Sequence, residues 1–363
     1  MIFVVAGEAS GDGLGEELLK ELYRIDPDLQ VKGVGGPKMR TVGMETLYPM
    51  EELQVMGFVD VLFALPHLWK CFRKTVKAIL KENPKIVVTI DYPGFNLRLA
   101  KTLRKKGYQG KICHYICPSV WAWGKKRIDL MVKHFDLLLS VLPFEKALFA
   151  KTPLRVEYIG HPLAQKIEPL SSHDQNLIAF FPGSRTKEIE RNLPFFERLI
   201  ERLKKEFPNT HYVVSLAQEK YRPLLKGHPL ASPQEIEQLK PFLAIAKSGT
   251  ISLELALKQI PSVVTYAISP LDIFLATYVF NIKLPFYALP NLIANQTIFP
   301  ELIGPSLTDG NLYREVKNLI THQPSWEKCQ KSCQTLRENL GSENASRRAA
   351  ELILFLKECK IAL

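Results

Sequence analysis

The segment FFPGSRTKEI at 180–189 joins a predicted buried strand to a predicted helix. An apolar run precedes it, and residues 189–207 carry apolar side chains at helical spacing. Gly183 permits a tight turn, Ser184 places a hydroxyl near the helix N-terminus, and Arg185 adds a cationic fork. Free N–H groups and the helix dipole at such a turn favour a diphosphate. The alternative is a simple connection in which Arg185 pairs with a surface carboxylate, and this segment alone does not decide between the two.

A second loop of the same kind follows the apolar run at 243–246. Ser248 or Thr250 can cap the helix that follows, and Gly249 allows a ligand to approach the backbone. Glu254 lies one turn inside that helix, where a carboxylate can accept two hydrogen bonds from a ribose. Its alternative role is that of a partner for the helix cap or dipole. Two loops suited to anions in one half of the chain together favour a diphosphate site.

The composition is that of a globular protein large enough for two cores, with 363 residues, 46% hydrophobic and 23% charged. The six cysteines are scattered, which predicts reduced thiols and a cytoplasmic location. Cys329 and Cys333 lie one helical turn apart, but no paired His or Cys motif accompanies them, so we interpret them as packing or surface thiols. The opening IFVVA at 2–6 predicts a strand rather than a signal peptide. No apolar run reaches the roughly 20 residues that a membrane-spanning helix needs.

Carboxylates follow two predicted strands of the first half. The loop GEASGDG at 7–13 follows the first strand, and Asp91 follows a later apolar run. Because ligands bind at the carboxyl ends of parallel strands in doubly wound folds, Glu8, Asp12 and Asp91 are candidate catalytic groups. Asp91 is the leading candidate for a general base. The alternatives are that Ser10 and Asp12 cap the helix after the first loop and that Asp91 caps the next one.

Positive charge is concentrated in the first half of a chain whose net charge is +11. Residues 55–69 are mainly apolar and aromatic, and they run into a series of cations at 70–81. Such a segment is typical of one that rests on an anionic membrane surface, and the alternative is a buried helix with a lysine face. Further cations at 101–133 favour an anionic partner.

Two tryptophans, Trp121 and Trp123, stand in one loop beside Pro118. Indoles in such a loop can line a pocket for a sugar or an acyl chain. They can equally cover the end of the core.

Strands and helices alternate in both halves, which predicts an α/β fold of two Rossmann-like domains facing across a cleft, with closing helices at the C-terminus. This architecture is called GT-B in glycosyltransferases. The composition becomes loop-like at 168–175, so the predicted domains are 1–165 and 166–340. The helix predicted within 341–363 is expected to pack back on the first domain.

Nine short motifs follow one another along nearly the whole chain. They are GEASGD (7–12), MEELQVMG (50–57), IDYPGFN (90–96), PSVWAW (118–123), LPFE (142–145), IGHP (159–162), PGSR (182–185), SGT (248–250) and LPNL (289–292). Together they resemble the motifs of lipid-A-disaccharide synthases, peripheral-membrane glycosyltransferases of Gram-negative outer-membrane biogenesis. The first four are specific to that family.

The resemblance implies a reaction and its partners. The 2,3-diacylated glucosamine of a UDP-sugar would be transferred with inversion to the 6-hydroxyl of 2,3-diacylglucosamine 1-phosphate, giving a β-1,6 disaccharide and UDP. It implies no cofactor and no metal. The implied location is the cytoplasmic face of the inner membrane, on its anionic surface, with no nucleic acid partner, and a homodimer through the C-terminal helices is compatible with it.

The resemblance also implies roles for individual residues. Asp91 matches the family's base, with Glu8 and Asp12 as competing carboxylates. The other implied residues bind either the UDP moiety or the acceptor and acyl chains. The UDP group is Gly183, Ser184, Arg185, Ser248, Gly249, Thr250, Glu254 and Asn291, and the acceptor group is Ser10, Gly11, Met56, Trp121 and Trp123.

The sequence departs from the family pattern in the second half. The segment 216–244 is short and proline-rich. We therefore expect a curtailed strand and helix in this segment, and a curtailed edge where the base of the nucleotide binds. Residues 295–297 lack a basic side chain. The rival hypotheses are another UDP-sugar enzyme of the same fold, such as a 2-epimerase or a peptidoglycan-type transferase, and a nucleic-acid-binding module that uses the positive charge.

Overall fold

The structure, a computed structural model, describes residues 1–53, 58–122, 124, 126–269, 272–273 and 284–358, without the side chains of residues 58–64, 126 and 358. These residues form two units. The first contains Met1–Pro162 and the described part of Ser342–Leu363, and the second contains Leu163–Gly341.

In the described part of the chain, the first unit is built on a parallel sheet of seven strands. They are β1 (Ile2–Ala6), β2 (Val31–Gly35), β3 (Glu45–Pro49), β4 (Ile86–Ile90), β5 (Lys111–Tyr115), β6 (Leu137–Ser140) and β7 (Arg155–Tyr158). Their order is β3-β2-β1-β4-β5-β6-β7. β1 and β4 are buried along their whole length and almost entirely apolar, as expected for central parallel strands. Because the strand order reverses between β1 and β4, the loops after these strands flank a topological switch point.

Helices connect the strands of the first unit, and their apolar faces recur at helical spacing. α1, for example, buries Leu18, Leu19 and Leu22. The helices are α1 (Ala9–Ile25), α2 (Pro37–Thr41), α3 (Phe58–Glu82), α4 (Pro93–Lys105), α5 (Lys126–His134) and α6 (Glu145–Leu148), with a 3₁₀ segment at Met50–Leu53.

The described residues of the second unit form a six-stranded parallel sheet. Its strands are β8 (Asp174–Phe181), β9 (His211–Ser215), β10 (Leu230–Ala231), β11 (Pro241–Lys247), β12 (Ser262–Tyr266) and β13 (Glu301–Ile303). Their order is β10-β9-β8-β11-β12-β13, so the reversal falls between β8 and β11. The two loops that the sequence singled out follow these two strands and therefore lie side by side.

The helices of the second unit include the two that follow those loops. They are α7 (Pro162–Lys166, at the boundary between the units), α8 (Thr186–Glu206), α9 (Pro233–Leu239), α10 (Thr250–Leu257), α11 (Leu289–Ala294), α12 (Asp309–Thr321) and α13 (Gln323–Leu340), with 3₁₀ segments at Glu219–Leu225 and Gly304–Ser306. In the region 216–244, the strand β10 has two residues and the helix α9 has seven, so both elements are present but short.

The C-terminal helix α14 (Ala345–Glu358) belongs to the first unit and packs on α1. Ala349 and Ile353 are buried in this contact region, and Lys357 Nζ lies 3.0 Å from Asp26 Oδ2. The predicted α/β fold, with two Rossmann-like halves and closing helices, is confirmed. Among the described helices, none has the length and apolar character needed to cross a membrane.

Candidate active site

The switch point of the first unit brings together the loops that begin at Gly7 and Asp91. β1 pairs with β4 up to Ala6 and Ile90, so the residue after each strand emerges at the same edge of the sheet. A Cβ atom on Gly7 would lie 2.3 Å from Cδ1 of Tyr92. Glycine is therefore required at position 7 because the tyrosine ring lies against its backbone.

Asp91 adopts a backbone conformation that few residues tolerate. Its φ is 47°, and φ of Tyr92 is also 47°, so two successive residues occupy the left-handed region. Such residues cost about 1–3 kcal/mol each and persist where the surroundings hold them. Here Asp91 N donates to Tyr115 O at 2.9 Å, and Asn96 Nδ2 donates to Asp91 O at 2.7 Å. These two hydrogen bonds hold the strained main chain of Asp91 at the end of β4.

The carboxylate of Asp91 lies in a partly buried environment with a second acid nearby. Burial raises the pKa of Asp91, while hydrogen bonds from the Tyr92 N–H and the Ser10 hydroxyl act in the opposite direction. The pKa of Glu8 is also raised, first by burial and then by the charge of Asp91. A carboxylate whose pKa is shifted upward binds a proton more readily, which suits a general base.

Asp12 has a different environment from the other two acids. It is buried, and its two carboxylate oxygens accept the N–H groups of Gly36, Lys38 and Met39 at 2.8, 3.1 and 3.1 Å. These groups lie at the N-terminus of α2, so Asp12 caps a helix that begins 25 residues further along the chain. Asp12 therefore caps a helix, as the alternative interpretation of the sequence expected, but the helix is α2 rather than α1.

Three of the five predicted acceptor-side residues, Ser10, Gly11 and Trp121, lie among the described residues of the first unit. Ser10 is exposed, and its hydroxyl forms a hydrogen bond with Asp91. Gly11 is buried, and a Cβ atom added to it would lie 3.5 Å from Cβ of Ala6. Trp121 is half-buried, and its Nε1 donates to Oε1 of Glu145 at 3.3 Å. Met56 and Trp123 lie outside the described residues.

Glu145, within the motif at 142–145, was given no role from the sequence. It is 1% exposed and accepts a 2.6 Å hydrogen bond from Ser140 Oγ as well as the bond from Trp121. Burial raises its pKa to about 7, although these hydrogen bonds favour the ionised form. Glu145 therefore helps to orient the indole of Trp121 through this hydrogen bond.

In the second unit, six of the eight predicted UDP-binding residues line one pocket with a volume of about 270 Å³. This is close to the lower limit of ordinary small-molecule sites, about 300 Å³. The six residues come from the two loops after β8 and β11 and from the helix α10: Gly183, Ser184, Ser248, Gly249, Thr250 and Glu254. The switch-point geometry predicted for this half thus brings residues more than 60 positions apart to one cavity.

An ion pair that the sequence did not reveal joins the end of β11 to the first turn of α8. Lys247 Nζ lies 3.0 Å from Glu188 Oε1, and both residues line the pocket. Glu188 Oε2 also accepts the Ser184 N–H at 3.1 Å. Although burial acts in the opposite direction, Lys247 and these contacts lower the pKa of Glu188. Lys247 provides the pocket with a cation that is only 15% exposed.

Arg185 and Asn291, the remaining two predicted residues, do not line this pocket in the structure. The Arg185 side chain is 80% exposed, and its Nη1 lies 3.1 Å from Glu188 Oε1. Asn291 is fully buried, and both ends of its amide bond within the protein, to Ile298, Phe299 and Glu301. Asn291 therefore holds the start of α11 against β13, and Arg185 must extend from the rim to reach a ligand.

The other walls of the pocket include residues of the region 216–244 and its borders. Ser215, Ala217 and Pro233 line it, so the shortened elements still contribute to this site. Glu254 also lines the pocket and is half-buried, and burial raises its pKa. The Ser184 carbonyl accepts a 2.9 Å hydrogen bond from the Tyr221 hydroxyl, which fixes the glycine turn.

A family model described as lipid-A-disaccharide synthetase matches residues 2–354, nearly the whole chain. The chain belongs to the lipid-A-disaccharide synthetase family. The resemblance deduced from the nine motifs is thereby confirmed. The family match also covers the departures at 216–244 and 295–297, since both lie within the matched residues.

Relatives in this family differ in length. A lipid-A-disaccharide synthase of Chlamydia trachomatis serovar D is 40% identical, over 97% of this chain and 62% of the relative. One of Geobacter metallireducens is 33% identical, over 97% of this chain and 96% of the relative. The chain thus spans about three fifths of the length of the chlamydial relative and nearly all of the Geobacter protein.

Solved structures share the fold of this lipid-A-disaccharide synthetase family member at low identity. A glycotransferase of kitacinnamycin matches with a TM-score of 0.63 and 14% identity, over 98% of both chains. A UDP-GlcNAc 2-epimerase of Neisseria meningitidis, bound to UDP-GlcNAc, matches with a TM-score of 0.60 and 12% identity, over 98% of both chains. These likenesses support the GT-B fold class.

Proposed function

We propose that this protein is a glycosyltransferase that forms the lipid A disaccharide. It would transfer 2,3-diacylglucosamine from UDP to the 6-hydroxyl of 2,3-diacylglucosamine 1-phosphate and release UDP. The observation that carries the proposal is the convergence of two separate loops, with Lys247, on one pocket of the second unit. Membership of the lipid-A-disaccharide synthetase family supplies the choice of substrates.

The donor's UDP moiety is proposed to bind in that pocket. The diphosphate would take the N–H groups and the hydroxyls at the starts of α8 and α10, where Ser184 and Thr250 lie, and the charge of Lys247. Glu254, one turn inside α10, would accept the ribose hydroxyls. Arg185 would add a contact from the rim.

The proton transfer is proposed to take place at Asp91. As the acceptor's 6-oxygen attacks the anomeric carbon, its proton passes to the Asp91 carboxylate, and the bond between that carbon and the diphosphate oxygen breaks. One such displacement inverts the anomeric centre. Glu8, near Asp91, would hold the acceptor or modulate the base, and Asp12 would support α2 through the bonds described above.

An anionic membrane surface is proposed as the partner that presents both lipid substrates. On α3, Leu65 is 50% exposed and Trp69 is 61% exposed. The residues at the next positions of the same i, i+4 series, Arg73, Lys77 and Lys81, are exposed cations. Apolar side chains followed by cations on one helix face match the requirements of an interfacial helix.

The direct test of the proposed reaction is product analysis with purified protein in mixed micelles. We expect the disaccharide 1-phosphate and UDP to appear in a one-to-one ratio only when donor and acceptor are both present. Mass spectrometry identifies the disaccharide, and proton NMR of the anomeric signal identifies its linkage. A 2-epimerase would instead convert the donor sugar without any acceptor, and that outcome would contradict the proposal.

A further inference from the structure

Three potential metal ligands of different types meet beside the middle of α3. Cys71 Sγ lies 3.5 Å from Glu52 Oε2 and 3.5 Å from His67 Nε2, and His67 Nε2 lies 3.6 Å from Glu52 Oε2. Glu52 belongs to the 3₁₀ segment Met50–Leu53, whereas His67 and Cys71 are four residues apart on α3. Residues at this spacing lie on one face of a helix.

The three separations match those of a tetrahedral metal site. With bond lengths of about 2.3 Å to sulfur, 2.0–2.1 Å to nitrogen and 2.0–2.2 Å to oxygen, ligand atoms around zinc lie about 3.3–3.6 Å apart. The observed triangle of 3.5, 3.5 and 3.6 Å has this size before any adjustment. A small rotation of the side chains would bring all three atoms to a common centre.

The same geometry does not suit a Cys–His–Glu catalytic triad. In a triad, the thiol and the carboxylate contact opposite nitrogens of the imidazole, so that one nitrogen takes a proton while the other is oriented. Here Cys71 and Glu52 both face Nε2 of His67. The arrangement converges on a point rather than forming a relay, which is the pattern of ligands around a cation.

The backbone that carries these ligands is held in place by neighbouring hydrogen bonds. The Cys71 carbonyl accepts from Tyr48 Oη at 3.3 Å and from Thr75 Oγ1 at 3.0 Å, and these two hydroxyls are 2.6 Å apart. All three of these residues are buried. Next to Glu52, Glu51 forms a two-point ion pair with Arg40 at 2.9 and 3.2 Å, which anchors the 3₁₀ segment. Such outer contacts orient metal ligands and raise affinity.

We infer that Glu52, His67 and Cys71 form a binding site for a borderline-soft divalent metal ion of the zinc class. Thiolate and imidazole select Zn²⁺ over Mg²⁺ and Ca²⁺, which prefer oxygen ligands. One carboxylate and one thiolate would neutralise the ion, and the fourth position would hold water because His67 and Glu52 are partly exposed. The ion would tie the 3₁₀ segment to α3. The Tyr92 hydroxyl donates to Leu53 O of this 3₁₀ segment at 3.5 Å. Because Tyr92 directly follows Asp91, this hydrogen bond would link the metal site to the residue next to the proposed base.

The test uses the 363-residue chain stripped of metal with a chelator and then desalted. Titration with Zn²⁺ in a calorimeter should show one tight equivalent, unaffected by excess Mg²⁺. Titration with Co²⁺ should produce a thiolate-to-cobalt charge-transfer band, which only sulfur ligation gives. Cys71→Ser should abolish the band, and Cys71→Ser and His67→Gln should each lower Zn²⁺ affinity by more than about 10- to 100-fold, the loss that outer-shell changes alone cause.

A matched control is provided by His228, which forms a His–Glu pair with Glu197 at 3.2 Å. His228→Gln should leave the tight equivalent and the cobalt band unchanged. If metal-free Cys71→Ser melts well below the wild type, His67→Gln decides the result, because the His67 side chain is 49% exposed and its loss opens no cavity. Absence of a tight equivalent in the wild type, or equal binding by His67→Gln and the wild type, would overturn the inference.

Discussion

Lys247 Nζ and Glu188 Oε1 lie 3.0 Å apart, and this ion pair joins the end of β11 to the first turn of α8 beside the proposed donor pocket. The same carboxylate accepts the Ser184 N–H near the N-terminus of α8. Glu188 therefore occupies contacts that a diphosphate would use. Binding of the donor would therefore replace the Glu188 carboxylate beside Lys247 with the diphosphate.

Lys247→Ala should weaken UDP binding by about 1.5–3 kcal/mol, the contribution of a charge-assisted hydrogen bond, or roughly 10- to 100-fold in Kd. Isothermal titration calorimetry with UDP measures the effect. Lys258→Ala is the matched control, because Lys258 is similarly buried and pairs with Glu237 at 2.9 Å outside the pocket. Arg185→Ala should weaken binding less than Lys247→Ala, since Arg185 is exposed at the rim. Equal UDP affinity of Lys247→Ala and the wild type would remove Lys247 from the site.

Gly183→Ala should destabilise the second unit and weaken UDP binding together. Gly183 has φ of 134°, and an added Cβ would lie 2.7 Å from Cβ of Glu188. Gly227 also has a positive φ, of 90°, but open space around it, so Gly227→Ala reports the cost of a positive φ without a steric clash. We expect Gly183→Ala to lower the free energy of unfolding by about 1 kcal/mol more than Gly227→Ala. Urea denaturation of both variants decides this, and the same loss in both would rule out the predicted clash with Glu188.

Glu145→Gln should alter how the stability of the first unit depends on pH. Burial raises the Glu145 pKa from 4.5 to about 7, so the folded protein retains the proton at pH values where the unfolded chain has lost it. The stability that this carboxyl contributes is present below about pH 4.5 and falls as the pH rises to about 7, by up to about 3 kcal/mol. The variant should therefore gain in melting temperature over the wild type across this range.

Glu157→Gln is the control for that measurement. Its carboxyl has a lowered pKa because Arg155 and Lys146 outweigh the opposing effect of burial, so its removal should cost stability at neutral pH. If the melting temperatures of Glu145→Gln and the wild type differ by the same amount at every pH, the pKa of Glu145 is not raised in the folded protein and the prediction is wrong.

Replacing Leu65 and Trp69 by serine should release the protein from anionic vesicles. Both side chains are at least half exposed, and full burial of an apolar side chain of this size contributes about 1.5–3 kcal/mol. Co-sedimentation with phosphatidylglycerol vesicles should fall by at least about tenfold for the double variant, and wild-type binding should fall with added salt. Leu239→Ser, at an exposed leucine of the second unit, is the control. Equal sedimentation of all three proteins would place the membrane contact elsewhere.

The parts of the site that follow directly from strand ends could be predicted from the sequence. Apolar runs bounded by glycine and proline mark β1, β4, β8 and β11, and ligands gather where these strands end. That rule places Asp91 and Ser248 without any knowledge of distant contacts. By contrast, β3 (Glu45–Pro49) is an edge strand with mixed burial, and its sequence lacks a continuous apolar signal.

The contacts that no local pattern predicts are those between distant polar groups. Lys247 pairs with a glutamate 59 positions earlier, and Asp12 caps a helix beyond the next strand. Asn291 belongs to a recognised motif, yet its amide is used entirely to hold the chain at 298–301. In each case the side chain's partner is set by which strands are neighbours in the sheet, and a local sequence window does not contain that information.

The role of Asp91 as the base is tested by the single-turnover rate of Asp91→Asn with UDP-diacylglucosamine and acceptor, measured beside Glu8→Gln and Asp12→Asn. Asparagine tolerates the left-handed backbone at φ of 47° and keeps the size of aspartate, so folding and UDP affinity should barely change. We expect the rate to fall by roughly 10² to 10⁴-fold, the contribution of a positioned base, whereas Asp12→Asn should mainly lower the melting temperature. A rate within about threefold of the wild type would contradict the assignment of Asp91 as the base.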